Sequence, residues 1–293
     1  MEKSATGHLW KLISPEGTLA NRSKMPNLPG RHFARNLVQR RALLFQLVRR
    51  DFQQRFVGSA AGWVWGVVHP LVLLVSYVFI FQICLRIPLP KGSLTQNYAL
   101  LVFCGFLPWL LFSETVQRSS NSLLDHSNLI TKTVFPSEIV PVAIFLSSLL
   151  NHLMALALGL AAVALFVGRL SPMLLFLPLY MLLGGLLAIG IGWIFASLQV
   201  YLRDTAQVVM VILTLWFWAT PILITEQQVP ARFRPLIEFN PLSYLVRAYQ
   251  ERLLSNKWPS LQEMAILAAW SVSVFLAGGL FFRYLKRGFA DVL

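Results

Sequence analysis

The most restrictive feature of this 293-residue chain is how far it runs without a charge. Between Arg55 and Arg86 thirty successive residues contain no Asp, Glu, Lys or Arg. Further charge-free windows cover 92–113 (22 residues), 139–168 (30), 170–202 (33), 205–225 (21) and 264–282 (19). A bilayer core about 30 Å thick is crossed by about 20 apolar residues in helical form. Each window suffices for one crossing, and helix is required because backbone groups in lipid must pair within their own segment. The pattern predicts an all-α membrane protein with six transmembrane helices near 62–85, 98–117, 139–167, 174–200, 206–225 and 262–283. Composition agrees, with 56% hydrophobic and 13% charged residues, against about 25% charged in a soluble domain.

The net charge of +13 is concentrated at one end, where residues 1–60 hold eleven Lys/Arg against Glu2, Glu16 and Asp51. So uneven a distribution points to a membrane surface and away from nucleic acid. By the positive-inside bias, Arg31 through Arg55 place the N-terminus in the cytoplasm, and six crossings return Arg283, Lys286 and Arg287 to the same side. Segment 226–260 is then external, although it holds Arg232, Arg234, Arg247, Arg252 and Lys257 against three acids. The first 30 residues lack the apolar core of a cleavable signal and read as a flexible tail. The expected domains are therefore a tail 1–30, an interfacial helix 31–56, a transmembrane domain 57–283 and a tail 284–293.

Within 31–56, Phe33, Leu37, Leu44, Val48, Phe52 and Phe56 recur every four to seven residues with arginines between them, the pattern of an amphipathic helix lying in the headgroup layer. Gly184, Ala188, Gly192 and Ala196 in the fourth span, and Ala265, Ala269, Ser273 and Ala277 in the sixth, repeat every four residues. Small residues at that spacing let helix backbones approach closely. His69, Glu114 and His152 fall in or near spans, where a charge costs roughly 2.5–3.5 kcal/mol at the helix centre. They are too few and too separated for a proton relay and read as satisfied structural groups.

No G-x-x-x-x-G-K-[ST], G-x-S-x-G, H-E-x-x-H or paired-cysteine zinc pattern is present, so nothing in the chain itself predicts nucleotide hydrolysis, a nucleophile or a metal site. That favours a conduit over an enzyme. Aromatic residues mark the spans: Trp63, Trp65, Tyr77, Phe79 and Phe81 in the first, Phe103, Phe106, Trp109 and Phe112 in the second, Trp216, Phe217 and Trp218 in the fifth. They fit either a lipid-facing belt or a lined path, since sugar rings stack their C–H faces on aromatic rings.

Asp51–Arg55, Gly62-Trp63-Val64-Trp65 and Pro70-Leu71 are followed by Leu107-Pro108-Trp109 with Phe112. Tyr201-Leu202-Arg203-Asp204, Phe217-Trp218-Ala219-Thr220-Pro221-Ile222 and Asn240-Pro241 complete the series. Taken in this order, the segments resemble the permease subunits of polysaccharide-exporting ABC-2 transporters in the O-antigen, capsule and teichoic-acid branch, over about 45–285. The sequence departs from the common pattern at Ile224, where a tyrosine is usual. The resemblance implies a homodimer in the bacterial inner membrane with both termini cytoplasmic and short external re-entrant helices before the last span. It also implies two copies of a separate ATPase subunit that carries the ATP and Mg, so that this chain holds no cofactor. The substrate would be a lipid-linked polysaccharide. Trp63, Trp65, Tyr77, Phe81, Trp216, Phe217 and Trp218 are the expected substrate path.

Ser122-Leu123-Leu124-Asp125 matches a capping box opening a short helix, with Leu123, Asp125, Ile130, Lys132 and Val134 expected to couple to the ATPase. Asp204 is expected to cap the fifth span beside Arg203. Arg232, Arg234, Asn240 and Pro241 mark the external re-entrant region. An ABC-2 exporter of lipids or drugs, or a membrane enzyme acting on lipid-linked sugars, are the alternatives. The last would need clustered acids or histidines at one membrane depth.

Overall fold

The computed structural model describes residues 40–55, 62–86, 89, 93–132 and 135–292. The predicted tail 1–30, residues 31–39 of the interfacial helix, Phe56 and Val134 lie outside these residues, as do the side chains of Trp63, His69 and Lys132. The described residues are helical and contain no strand. In chain order the helices are α1 (Arg41–Gln54), α2 (Trp65–Val78, continued by wider π-type turns over Phe79–Cys84), α3 (Tyr98–Asp125), α4 (Ser127–Lys132), α5 (Ile139–Val167), α6 (Leu177–Tyr201), α7 (Thr205–Trp218), α8 (Arg234–Phe239), α9 (Pro241–Leu254), α10 (Leu261–Leu285) and α11 (Phe289–Val292).

Local chemistry sets most of the boundaries. Asn97, in extended backbone, accepts the Leu100 N–H at 3.2 Å and starts α3. Ser171 accepts the Met173 N–H at 3.1 Å beside Pro172 and opens the turn that leads into α6. Asn240 and Ser260 likewise open α9 and α10, each side chain satisfying a backbone donor that has no partner within its helix. Gly168, at φ +73°, closes α5 in the left-handed conformation that glycine adopts freely.

Among the described residues, four helical stretches are long and apolar enough to cross a bilayer: Tyr98–Asp125, Ile139–Val167, Pro172–Tyr201 and Leu261–Gly288. Two apolar helices, Pro70–Cys84 and Thr205–Trp218, are shorter. The fifth expected span thus ends as helix at Trp218, not 225. Its 14 residues rise about 21 Å, and after a last bond from the Thr220 N–H to the Phe217 carbonyl at 3.1 Å the chain leaves the helix at Pro221. A charge-free window reports hydropathy and is blind to this break.

α3 is the central element. Its residues from Leu100 to Trp109 are all buried, packed by α5, α6 and α9. α10 lies against α6 and α1 against α5. On α1 the packed residues include Leu44, Leu47, Val48 and Phe52, while Phe45, Arg49 and Arg50 are exposed. In the fourth span the small-residue stripe is used as expected: a Cβ on Gly184 would meet Leu245, and one on Gly192 would meet Ser119, both at 2.9 Å. The sixth-span stripe is not: Ala265, Ala269, Ser273 and Ala277 all face outward. The buried face of α10 is Leu267, Ser271, Gly278 and Phe282. There Gly278 lies directly on the Gly190 carbonyl, and a Cβ on Gly190 would approach the Val274 carbonyl oxygen to 2.6 Å. Small residues line two faces of this helix, and the spacing alone does not say which one meets α6.

Candidate functional site

The non-helical stretch after α7 is buried at Thr220, Ile222 and Leu223, so its polar groups need protein partners. Asn240 supplies them. Its Oδ1 accepts from the Trp216 indole N–H at 2.9 Å and from the Leu242 backbone N–H at 3.0 Å. Its Nδ2 donates to Thr220 Oγ1 at 2.9 Å and to the Ala219 carbonyl at 3.3 Å. The Tyr98 hydroxyl donates to the Leu223 carbonyl at 2.8 Å. One buried carboxamide thereby joins α7, the turn after it and the start of α9. Asn240-Pro241 was legible as a motif in the external region, but its partners were not.

Below this joint, aromatic rings from three helices meet. Phe217 is at the centre, 5.6 Å from Tyr77 in a stacked arrangement, 5.4 Å from Trp109, 5.5 Å from Trp218 and 6.0 Å from Phe106. Phe112 reaches Trp216 edge-on at 5.3 Å. Such pairs each contribute about 0.5–1.5 kcal/mol beyond area burial. Tyr77, Trp216, Phe217 and Trp218 of the expected path are therefore brought together, but in different roles. Phe217 is core, whereas Trp218 and Trp65 are 60% and 57% exposed and Tyr77, Phe81 and Trp216 are half-buried. Phe106, Trp109 and Phe112 belong to the same cluster. Their spacing of three along α3 was the signal for one shared face.

At the opposite end of the bundle, four charges alternate in sign. Arg118 donates to Asp51 Oδ1 at 2.6 Å and lies 3.9 Å from Glu114. Arg55 pairs with Glu114, donates to Ser148 Oγ at 2.8 Å and lies 4.0 Å from Asp51. The network ties α1 to α3 and α5. Burial, the largest influence, lowers the pKa of the Arg55 guanidinium, and Glu114 works against it. Glu114 is a structural partner here, as expected.

The segment after α3 departs from its expected form. Ser122 does not cap a new helix; it lies inside α3, and its hydroxyl donates to the Ser119 carbonyl at 2.7 Å. Leu123 is fully buried within the chain, so its side chain is not presented to another protein. Asp125 is exposed at the end of α3, and Ile130 is half-buried on α4, which packs against α11. Asp204 sits at the start of α7 in helical backbone, without the extended geometry a capping side chain needs, and makes no cap hydrogen bond. Gln199 holds that turn instead. Its Oε1 accepts from Ala206 N at 2.7 Å, while its Nε2 donates to the Arg203 carbonyl at 2.8 Å and to Asn121 Oδ1 at 3.1 Å. A lone Gln in an apolar helix carried no pattern by which it could be found.

The region before α10 contains the two short helices expected there, α8 and α9. Arg232 lies over the Phe233 ring at 4.5 Å and Arg234 is exposed. Arg247 pairs with both Glu226 and Glu263. Burial draws its pKa down, but the two carboxylates outweigh burial and raise it. Arg252, 1% exposed, donates to Glu251 and to the Lys257 carbonyl, each at 2.6 Å.

Residues 42–254 match the family model of the ABC-2 type transporter. The O-antigen export system permease protein RfbA of Myxococcus xanthus is 30% identical over 260 residues, which span 88% of this chain and 97% of the relative. A protein of the same name from Klebsiella pneumoniae is 29% identical over 254 residues, 86% of this chain and 95% of its own. With its framework of apolar helices matched over most of its length, the chain belongs to the ABC-2 type transporter family.

Proposed function

We propose that this chain is the transmembrane subunit of an ATP-driven exporter that moves lipid-linked polysaccharide, O-antigen or capsular polysaccharide, outward across the bacterial inner membrane. The observation that carries the reading is the near end-to-end similarity to relatives named as O-antigen export permeases. The absence of a P-loop from the sequence agrees with hydrolysis in a separate subunit. Two chains, each crossing six times with both termini cytoplasmic, pair with two ATPase subunits that hold ATP and Mg. α2 and α7 provide the two crossings that fall short in length, the latter completed by the turn that Asn240 covers.

Nucleotide drives the cycle only by favouring one conformation of the assembly over another. In this reading α4 and the neighbouring α11 receive the ATPase movement. The charge network at Arg55 passes it to α1 and α3, and the exposed rings Trp65 and Trp218 offer sequence-tolerant stacking surfaces to the glycan. The five Lys/Arg of segment 226–260 stand against the seven arginines between Arg31 and Arg55 that precede the first span, and the first span usually sets the orientation. The test is deletion of the gene. The expected result is glycan held on its lipid carrier inside the cell and lost from the surface, with recovery on complementation. A deletion strain with normal surface glycan overturns the proposal. Cysteine labelling that places the two termini on opposite sides overturns the six-span topology.

A further inference from the structure

Two cavities of similar size lie at the α9 end of the molecule, and their linings differ. One, about 290 Å³, is walled by Leu187, Ile191, Trp216, Phe239, Trp270 and Val274 and suits hydrocarbon. The other, about 210 Å³, lies where α3 and α9 meet the segment Pro221–Gln227. Leu94, Leu101, Pro221 and Val246 form its apolar wall. Thr225, Gln227, Gln250 and Glu251 bring hydroxyl, amide and carboxylate groups to it. We propose that this second cavity is a saccharide subsite that holds one sugar ring of the polymer on the outer side of the membrane.

Three observations support it. The volume of about 210 Å³ falls below the roughly 300–1,000 Å³ of drug-sized sites and matches one sugar ring. The lining is charge-balanced, with Arg247 and Lys257 against Glu226 and Glu251, and Arg247 is committed to two carboxylates, so the cavity offers no surplus positive charge for a phosphate. Lastly, its two chemistries match the two faces of a pyranose. Leu94, Pro221 and Val246 face C–H groups, the amides exchange hydrogen bonds with ring hydroxyls, and Thr225 Oγ1, which gives its own proton to Gln228 Oε1 at 2.9 Å, accepts one. Gln250 gives its Nε2–H to the Leu101 carbonyl at 3.2 Å, which orients its amide and leaves Oε1 to accept from a sugar.

The inference rests on the export reading above, and the experiment separates the two. The full-length chain, purified with its ATPase partner in lipid nanodiscs, is titrated with oligosaccharides of the cell's surface polysaccharide released by mild acid. Binding is followed by saturation-transfer NMR. The wild-type chain is expected to give saturable transfer to ring protons. Leu94→Trp, which fills the cavity without removing a hydrogen bond, is expected to weaken binding at least tenfold, and Gln227→Ala about threefold, both with unchanged melting profiles. If the wild-type gene restores surface glycan to the deletion strain but the purified chain shows no saturable transfer, or if Leu94→Trp binds as the wild type does, the subsite is refuted and the export reading stands. If surface glycan is normal in the deletion strain, the export reading itself is refuted, and the subsite falls with it.

Discussion

Truncating Asn240 to alanine removes four hydrogen bonds at once: the acceptor of the Trp216 indole and of the α9 cap, and the donor to Thr220 and Ala219. Losing a helix N-cap costs about 1 kcal/mol, and hydrogen bonds between membrane helices average about 0.6 kcal/mol, so the loss should come to about 3 kcal/mol. At about 2.1 cal/mol/K of unfolding entropy per residue, for a chain of 293 residues that corresponds to a fall in melting temperature of about 5 °C. Detergent-solubilised protein heated stepwise, with the folded fraction read by size-exclusion chromatography, measures it. Thr220→Val removes one partner of Nδ2 and the hydroxyl's own bond to the Trp216 carbonyl, and should cost about 1.2 kcal/mol. Because the two residues share a bond, the double variant should cost less than the two singles combined. An Asn240→Ala protein that melts within about 1 °C of its parent would refute the idea that this one carboxamide holds the turn after α7.

Glu114→Ala leaves Arg55 and Arg118 with a single carboxylate. The site is intermediate between an exposed pair and a buried one, so the variant should lose about 2 kcal/mol, and adding Arg55→Ala should recover part of the loss in a double-mutant melting cycle. Gly278→Val should abolish a folded, monodisperse product, since its side chain would strike the Gly190 backbone. Ala269→Val, on the outward face of the same helix, should elute and melt like the wild type. Gln199→Leu strips three hydrogen bonds from the turn before α7 and should lower the melting temperature, whereas Asp204→Ala, which removes no cap bond, should not.

The sequence by itself determined that the chain is helical and membrane-bound, roughly where its apolar segments lie, and the family it resembles. Hydropathy and helical period are local properties, written in consecutive residues such as 139–168 or 170–202. It also showed that aromatics gather on α2, α3 and α7. Only the tertiary structure decided which side chains meet. Phe217 became core while its neighbour Trp218 stayed exposed, and the close approach of α6 and α10 fell to Gly190 and Gly278 rather than to the Ala265–Ala277 stripe. Leu123 turned inward, and the start of α7 passed from Asp204 to Gln199. Each of these depends on the rotation of one helix against another distant in sequence, or on a polar group finding partners that no periodic spacing marks, as Gln199 does at Ala206 and Asn121. That information lies in packing and in the need to satisfy buried donors and acceptors, not in the spacing along any single segment.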